Sequence, residues 1–207
     1  STLRSCTGFA LFFAVLRTMK QSVVLGLALG AFSYGWLLLE KAFGLHGPRL
    51  PLYVYFVLIS VVPTLLIWQW GMRRIRLNLP EAPSFVRLFQ SGLAAVGVWA
   101  LATTLGQWLF HTAVSPHFLE EAAARAVSAG LDAEAAASTY SLGSYVLQNV
   151  ASTLSQGVVL AAGFAYFGSR RAEAHRKTTE AVRGRMSGSG KAGAAAAKGG
   201  PKSGKRA

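Results

Sequence analysis

The segment LYVYFVLISVVPTLLIWQWGMRRIR, residues 52–76, decides the fold class. It has no charged residue from Leu52 to Met72, and arginines then follow at positions 73, 74 and 76. A helix needs about 20 predominantly apolar residues to cross the hydrocarbon layer of a bilayer. The segment therefore predicts a membrane-spanning helix that ends at a basic boundary.

Three further stretches are also apolar and uncharged, namely Val23–Leu39, Gly92–Phe110 and Tyr145–Phe167. Hydrophobic residues make up 52% of the chain and charged residues only 14%. A soluble domain typically has about 25% charged residues. We therefore predict an all-α integral membrane four-helix bundle, with spans at about 23–45, 52–72, 88–110 and 145–167.

The chain divides into three parts by composition. Residues 1–21 are predicted to form an N-terminal cytoplasmic or interfacial segment, and residues 22–168 the transmembrane domain. Residues 169–207 hold eleven Lys and Arg against two Glu, out of a net charge of +13 for the whole chain. From Ser187 onward this tail is rich in Gly, Ala, Lys and Ser, a composition that buries too little apolar surface to fold. We expect a basic, largely disordered cytoplasmic tail.

Basic residues flank alternate connections between the spans. They precede span one and follow spans two and four, whereas the connection after span three is acidic. Positive residues next to spans prefer the cytoplasmic side. We therefore expect both termini in the cytoplasm and a location in the cell inner membrane. The third connection should form a short extracytoplasmic helical pair, with Pro116 in the first turn of one helix and Asp132 capping the next.

Small residues recur at helical spacing on two spans and predict helix packing. Such stripes let helices approach closely in lipid. They are Gly26, Gly30 and Gly35 on span one, and Gly157, Ala161 and Ala165 on span four. Packing within one bundle is one interpretation; homodimerisation through a stripe, or entry into a larger membrane complex, is the other.

Uncharged polar residues inside the spans predict either hydrogen bonds between helices or a polar path. They are Gln107 on span three and Gln148, Ser152, Ser155 and Gln156 on one face of span four. Glu40 and Lys41 lie at the end of span one and should reach the interface. Proton and ion pathways normally hold an ionisable residue within the membrane. An ion-coupled transporter is therefore not expected.

Clusters of cations at the cytoplasmic ends of the spans predict contact with anionic lipid headgroups, at about 1 kcal/mol per Lys or Arg. They are Arg73, Arg74, Arg76, Arg170, Arg171, Arg176 and Lys177. The tail lacks interleaved aromatic residues, so the bilayer is favoured over nucleic acid as its partner.

No motif points to catalysis, to a bound metal or to a cofactor. His111 and His117 match no metal-ligand spacing, and the adjacent Glu120 and Glu121 would point apart on a helix. No small-molecule substrate is indicated. We expect a non-enzymatic accessory or scaffold protein of the inner membrane. The alternatives are a small polar channel or carrier along span four and a membrane-bound enzyme that uses the outer loop.

Three sequence features occur in a fixed order in the middle of the chain. A basic run ends span two, a Ser-Phe-x3-Phe-x2-Gly pattern leads into span three, and Pro-x-Phe opens the acidic loop. These are Arg73, Arg74 and Arg76; Ser84, Phe85, Phe89 and Gly92; and Pro116 and Phe118. Over about Val23–Arg171 the chain resembles the bacterial membrane family catalogued as domain of unknown function 4199. The resemblance implies four helices in a bacterial inner membrane, and no known activity.

Overall fold

The computed structural model describes residues 2–45, 49, 52–79 and 83–197, and these ranges contain helices and no strand. The helices are α1 (Thr2–Ala42), α2 (Tyr53–Leu77), α3 (Phe85–Leu109), α4 (Phe118–Ser128), α5 (Ala133–Thr139) and α6 (Leu142–Ala197). A π-helical turn, Phe110–Val114, directly follows α3. The all-α fold class is therefore confirmed.

Four helices are long and apolar enough to cross a membrane. The candidate spans are Arg17–Ala42, Tyr55–Leu77, Phe85–Val114 and Leu142–Arg183. They fall on the four stretches that the sequence indicates, because an uncharged run satisfies its backbone groups in lipid only as a helix. Multiple spanning helices are therefore confirmed as the architecture.

The N-terminal segment is not a separate interfacial helix but part of α1. Residues 2–21 continue directly into span one, and α1 is a single helix of 41 residues. No proline interrupts it. Its length is about 60 Å, twice the roughly 30 Å of a typical hydrocarbon layer. The segment is thus a helical lead-in to span one.

The C-terminal helix also extends beyond expectation. α6 has 56 residues and ends at Ala197, well past Ser187, where we expected disorder to begin. Alanine has the highest intrinsic helix propensity, and four consecutive alanines occupy positions 194–197. Local propensity therefore favours helix here although little apolar surface is available to bury. Residues 198–207 of the predicted tail lie outside the described residues.

The connection between α3 and α6 contains the expected helical pair. The Asp132 carboxylate accepts hydrogen bonds from the backbone N–H groups of Glu134 and Ala135, both at 3.0 Å, which confirms the cap of α5. The first helix begins at Phe118 and not at Pro116. The π-helical turn runs to Val114, and Ser115 leaves the helical conformation with φ −143° and ψ 66°, so the chain turns again before α4 begins.

The central core joins all four spans. Trp68 of α2 is fully buried, and its ring packs edge-on against Trp99 of α3 at 6.4 Å and parallel to Phe164 of α6 at 6.2 Å. Leu25 and Leu29 of α1 complete the same cluster. α2 and α6 contact each other at the Trp68–Phe164 pair within this cluster.

Glycines allow α3 to lie directly against α1 and α6. A methyl group on Gly26 would lie 2.6 Å from the carbonyl oxygen of Ala95, and one on Gly157 would lie 2.6 Å from Cγ1 of Val96. Gly30 likewise leaves no room beside Ala102. Ala161 faces Gly92, and Ala165 is fully buried in the core. These positions of the two stripes are therefore occupied by contacts within the chain.

Gly35 differs from the other stripe residues. A methyl group on it would meet no described atom within 4 Å. It is therefore not a point of close approach to α3.

We predict that Gly157→Ala lowers the free energy of unfolding by about 1–3 kcal/mol, because the added methyl overpacks the contact with Val96. Gly163→Ala, on the same helix, is the matched control, since no described atom lies within 4 Å of its new methyl group. Reversible unfolding in mixed detergent micelles measures both. Equal stability of the two variants would contradict the proposed α3–α6 contact.

Candidate functional site

A cavity of about 680 Å³ lies between α1, α2, α3 and α6. Its volume is within the usual range for small-molecule sites, about 300–1,000 Å³. Polar side chains from all four helices line it: Ser33, Glu40, Ser60, Thr64, Thr103, Gln107, Tyr145, Asn149, Ser152, Thr153, Ser155 and Gln156. Aromatic and aliphatic side chains complete the wall, so the cavity is amphipathic.

Several of the polar groups are satisfied by the protein itself. Ser33 Oγ donates to the Leu29 carbonyl at 2.9 Å and accepts from the Trp99 indole N–H at 3.0 Å. Gln156 Nε2 donates to Ser152 Oγ at 2.8 Å. These bonds hold the wall of the cavity in place and need no ligand.

Two buried polar atoms of wall residues lack a hydrogen-bond partner in the described part of the chain. Among the described residues, no hydrogen-bond partner lies within reach of the Thr103 hydroxyl or the Trp36 indole N–H. Thr103 is only 9% exposed, whereas the hydroxyl of its neighbour Thr104 donates to the Ala100 carbonyl at 2.7 Å. An unsatisfied buried polar group costs about 1–3 kcal/mol. Both residues line the cavity, so a molecule bound there that carries hydrogen-bond acceptors would supply the missing partner if the side chain turned toward it.

A cluster of polar and aromatic residues closes the end of the cavity next to the π-helical turn. Glu40, in the last turn of α1, is only 3% exposed and lines the cavity. Gln107 Oε1 and His111 Nε2 are 3.1 Å apart, and the His111 ring lies 5.0 Å from that of Tyr145. His111 is part of the π-helical turn, a feature that is frequent at functional sites.

The burial of Glu40 corrects the expectation that it reaches the interface. Adjacent residues on a helix point about 100° apart. Lys41 is exposed and its ammonium group donates to the carbonyl of Val114, while Glu40 faces the bundle. Rotation about the helix axis, and not depth along it, therefore brings this carboxyl group inside.

The cavity opens sideways between α2 and α6. These helices meet at Trp68 and Phe164. Away from that contact, cavity-lining residues of both helices are exposed, including Val61 of α2 and Val159 of α6, the latter at 70%. In a membrane-spanning bundle such a gap faces lipid. A molecule dissolved in the bilayer could thus enter without crossing the headgroup layer.

The structure gathers most of the predicted polar path. Gln107, Ser152, Ser155 and Gln156 line the cavity, but Gln148 does not and is exposed. The neighbouring Asn149 is in the wall, and Gln148 lies about 100° from it around the helix. Gln148 therefore lies to one side of the lining stripe.

The sequence contained a signal for the residues that were not selected. Polar side chains recur at helical spacing on each of the other helices: Ser60 and Thr64 on α2, Thr103 one turn before the already selected Gln107 on α3, and Ser33 and Glu40 on α1. Each pair is too sparse to stand out alone. Only their convergence in space identifies a site.

The predicted basic residues fall into three groups. Arg73, Arg76 and Arg171 line a second cavity at the opposite end of the bundle. Arg74 and Arg170 lie over aromatic rings of their own helices. Arg176 and Lys177 form ion pairs within α6, with Glu180 at 3.8 Å and Glu173 at 2.8 Å.

Residues 24–170 match the family described as "Protein of unknown function (DUF4199)". The match covers more than half of the chain. The chain belongs to the DUF4199 family. All the residues of this DUF4199 protein that line the cavity between α1, α2, α3 and α6 lie within the matched region, whereas the first part of α1 and the last part of α6 lie outside it. Searches of curated proteins and of solved structures each found no significant match.

We predict that Thr103→Val raises the free energy of unfolding of the ligand-free DUF4199 protein by about 1 kcal/mol, because it removes an unsatisfied buried hydroxyl. Thr104→Val should not stabilise, since it removes a hydroxyl that already has a partner. Unfolding in mixed micelles after exhaustive delipidation measures the difference. A destabilised Thr103→Val variant would show that the hydroxyl is satisfied in the protein.

Proposed function

We propose that this DUF4199 protein is a non-enzymatic membrane protein that binds a small amphiphilic molecule in the cavity between α1, α2, α3 and α6. The observation that carries the proposal is the buried Thr103 hydroxyl without a hydrogen-bond partner among the described residues. Buried polar groups in proteins usually have a hydrogen-bond partner, because burial without one costs free energy that nothing offsets. A bound molecule would supply the compensation.

The wall of the cavity defines the chemistry of the ligand. The Trp36 indole N–H can only donate and the Thr103 hydroxyl can donate or accept, so the ligand needs acceptor oxygens or nitrogens on that side. Val57, Val61 and Leu65 of α2 add apolar side chains to the lining. An apolar body carrying carbonyl, ether or hydroxyl oxygens matches both parts of the lining.

The lateral opening between α2 and α6 supports entry from the bilayer. This argues for a receptor or an accessory subunit that responds to a membrane-soluble molecule, which is a specific form of the accessory role expected from the sequence. A carrier would use the same cavity and would also need an opening to water at each end. The packing of α2 and α6 provides a sideways opening, which favours a ligand-binding protein over a carrier.

The outer loop gives no comparable support to an enzyme. Glu120 lies 3.3 Å from the imidazole of His117, and Glu121 lies 3.7 Å from the guanidinium group of Arg125. Both pairs are exposed and lie within one helical segment, so solvent screens them. They stabilise α4 locally.

We further propose that the basic end of the bundle lies at the cytoplasmic face of an inner membrane, with both termini inside. Met72, Leu88 and Phe164 line one cavity, which brings the C-terminal end of α2, the start of α3 and the middle of α6 to the same end. Their arginines are then on one side, as the distribution of basic residues in multi-pass proteins requires. A topology reporter fused at Ala137 should read as extracytoplasmic, and a cytoplasmic signal would reverse the assignment.

Ligand retention tests the main proposal. The wild-type protein, Thr103→Val and Thr104→Val are purified identically in a mild detergent, and organic extracts are quantified by mass spectrometry. We expect one class of amphiphile at near-stoichiometric levels in the wild type and in Thr104→Val. In Thr103→Val its affinity should fall about tenfold, the equivalent of one buried hydrogen bond of about 1.4 kcal/mol.

Two results would contradict ligand binding. One is the recovery of bulk membrane lipids only, in proportions equal to those of an unrelated four-span protein purified in parallel. The other is equal retention by the two threonine variants. Normal elution of both variants from a sizing column checks that the bundle is intact.

A further inference from the structure

A second cavity, of about 400 Å³, lies at the basic end of the bundle between α2, α3 and α6. Its floor is formed by Met72 and Leu88, which are almost fully buried. Arg73 and Arg76 come from α2, and Arg171 comes from α6. We call this site the arginine cleft.

The neighbouring arginines are held elsewhere. The Arg74 guanidinium carbon lies 4.6 Å from the ring centre of Trp70, and that of Arg170 lies 5.3 Å from the ring centre of Tyr166. Each of these cations is thus drawn to an aromatic face on its own helix. Arg73 and Arg76 of α2 and Arg171 of α6 line the arginine cleft instead.

The arginines of the cleft have no competing anion in the described part of the chain. Neither Arg73, Arg76 nor Arg171 forms an ion pair with any described carboxylate. Three positive charges around one cavity repel one another, and an anion placed between them would relieve this repulsion. A guanidinium group fits a phosphate with two parallel hydrogen bonds, which makes phosphate the favoured anion.

Apolar side chains on the membrane side of the cleft identify the rest of the ligand. Phe164 and Phe167 line it one turn before Gly168 and Arg171, and Phe167 is largely exposed. The cleft therefore has a charged rim beyond the apolar core of α6 and an aromatic wall within that core. A molecule with a phosphate at one end and acyl chains at the other matches this order along the helix.

We propose that the arginine cleft binds the phosphate of one anionic phospholipid, with its acyl chains against Phe164 and Phe167. The site is separate from the cavity between α1, α2, α3 and α6, and it does not depend on the function proposed for that cavity. It also refines the general expectation of lipid contact, because it assigns the binding to Arg73, Arg76 and Arg171 and excludes Arg74 and Arg170.

Two charge-matched double variants test the assignment. Arg73→Gln/Arg171→Gln removes two cleft cations, and Arg74→Gln/Arg170→Gln removes one cation from each of the same two helices outside the cleft. The probe is fluorescent short-chain phosphatidylglycerol, titrated into the full-length protein in a neutral detergent at fixed ionic strength. We expect the cleft variant to bind about tenfold more weakly or worse, and the control variant to bind within about twofold of the wild type.

Competition distinguishes the lipid from free phosphate. Inorganic phosphate and glycerol phosphate should displace the probe only at far higher concentrations than unlabelled phosphatidylglycerol, because they lack the acyl chains. If they compete as well as the lipid does, the ligand is a soluble phosphate compound and the proposal is wrong. Equal weakening in both double variants would show a diffuse positive field in place of a site, and would also overturn the proposal.

A third variant remains informative if the glutamine substitutions disturb folding. Arg73→Lys/Arg171→Lys keeps the charge but loses the planar donor fork. Intermediate affinity supports recognition by paired guanidinium groups. Affinity equal to that of the wild type would mean that point charges suffice, and the geometric assignment would fail.

Discussion

The contact of α3 with its two neighbours is the constraint on which the bundle depends. In lipid the hydrophobic effect no longer drives helices together, so association rests on close packing and on a few hydrogen bonds. Gly26 and Gly30 bring α1 against α3, and Gly92 and Gly157 do the same between α3 and α6. α3 is therefore the central helix, and the positions of α1 and α6 follow from it.

α2 is held less completely, and this gives the molecule its cavity. It packs on α1, where Gly71 lies against Leu25, and it touches α6 at the Trp68–Phe164 stack. Beyond that stack, toward Glu40, α2 and α6 leave a gap that polar residues of all four helices border. Tight packing at one end and separation at the other thus come from the same arrangement. The amphipathic cavity and the arginine cleft lie on opposite sides of the tryptophan core.

Much of the fold could be read from the sequence because lipid imposes strong rules. An uncharged run of sufficient length must be helical, which is why all four spans agree with the prediction. The Asp132 cap was equally readable, since it depends on local chemistry alone. The continuity of α1 was not predictable from composition, because the same apolar residues before Arg17 suit either a lead-in or an interfacial helix. The helix beyond Ser187 was missed because disorder was inferred from low apolar content, although alanine also favours helix.

The cavity was harder to foresee, because it depends on rotation and not on composition. Glu40 was assigned to the interface by its position near a helix end, yet its direction around the axis brings it inside. Gln148 was included for its spacing and lies to one side of the lining stripe. In the sequence, Thr103 cannot be told apart from other threonines in the spans. Only the structure shows that its hydroxyl has no hydrogen-bond partner among the described residues. The residue pattern of a single helix specifies neither which side of that helix faces the bundle nor which polar groups find hydrogen-bond partners on other helices.

The uninterrupted course of α6 has a mechanical consequence. This helix forms part of the cavity wall near Tyr145 and continues to Ala197 without a break in its backbone. The portion beyond residue 170 is about 40 Å long. Used as a lever, it would convert a tilt of about 5° at the cavity into a displacement of roughly 3–4 Å at its far end. Any tilt of α6 at the cavity would therefore be amplified at the far end of the helix, well beyond the residues that match the family.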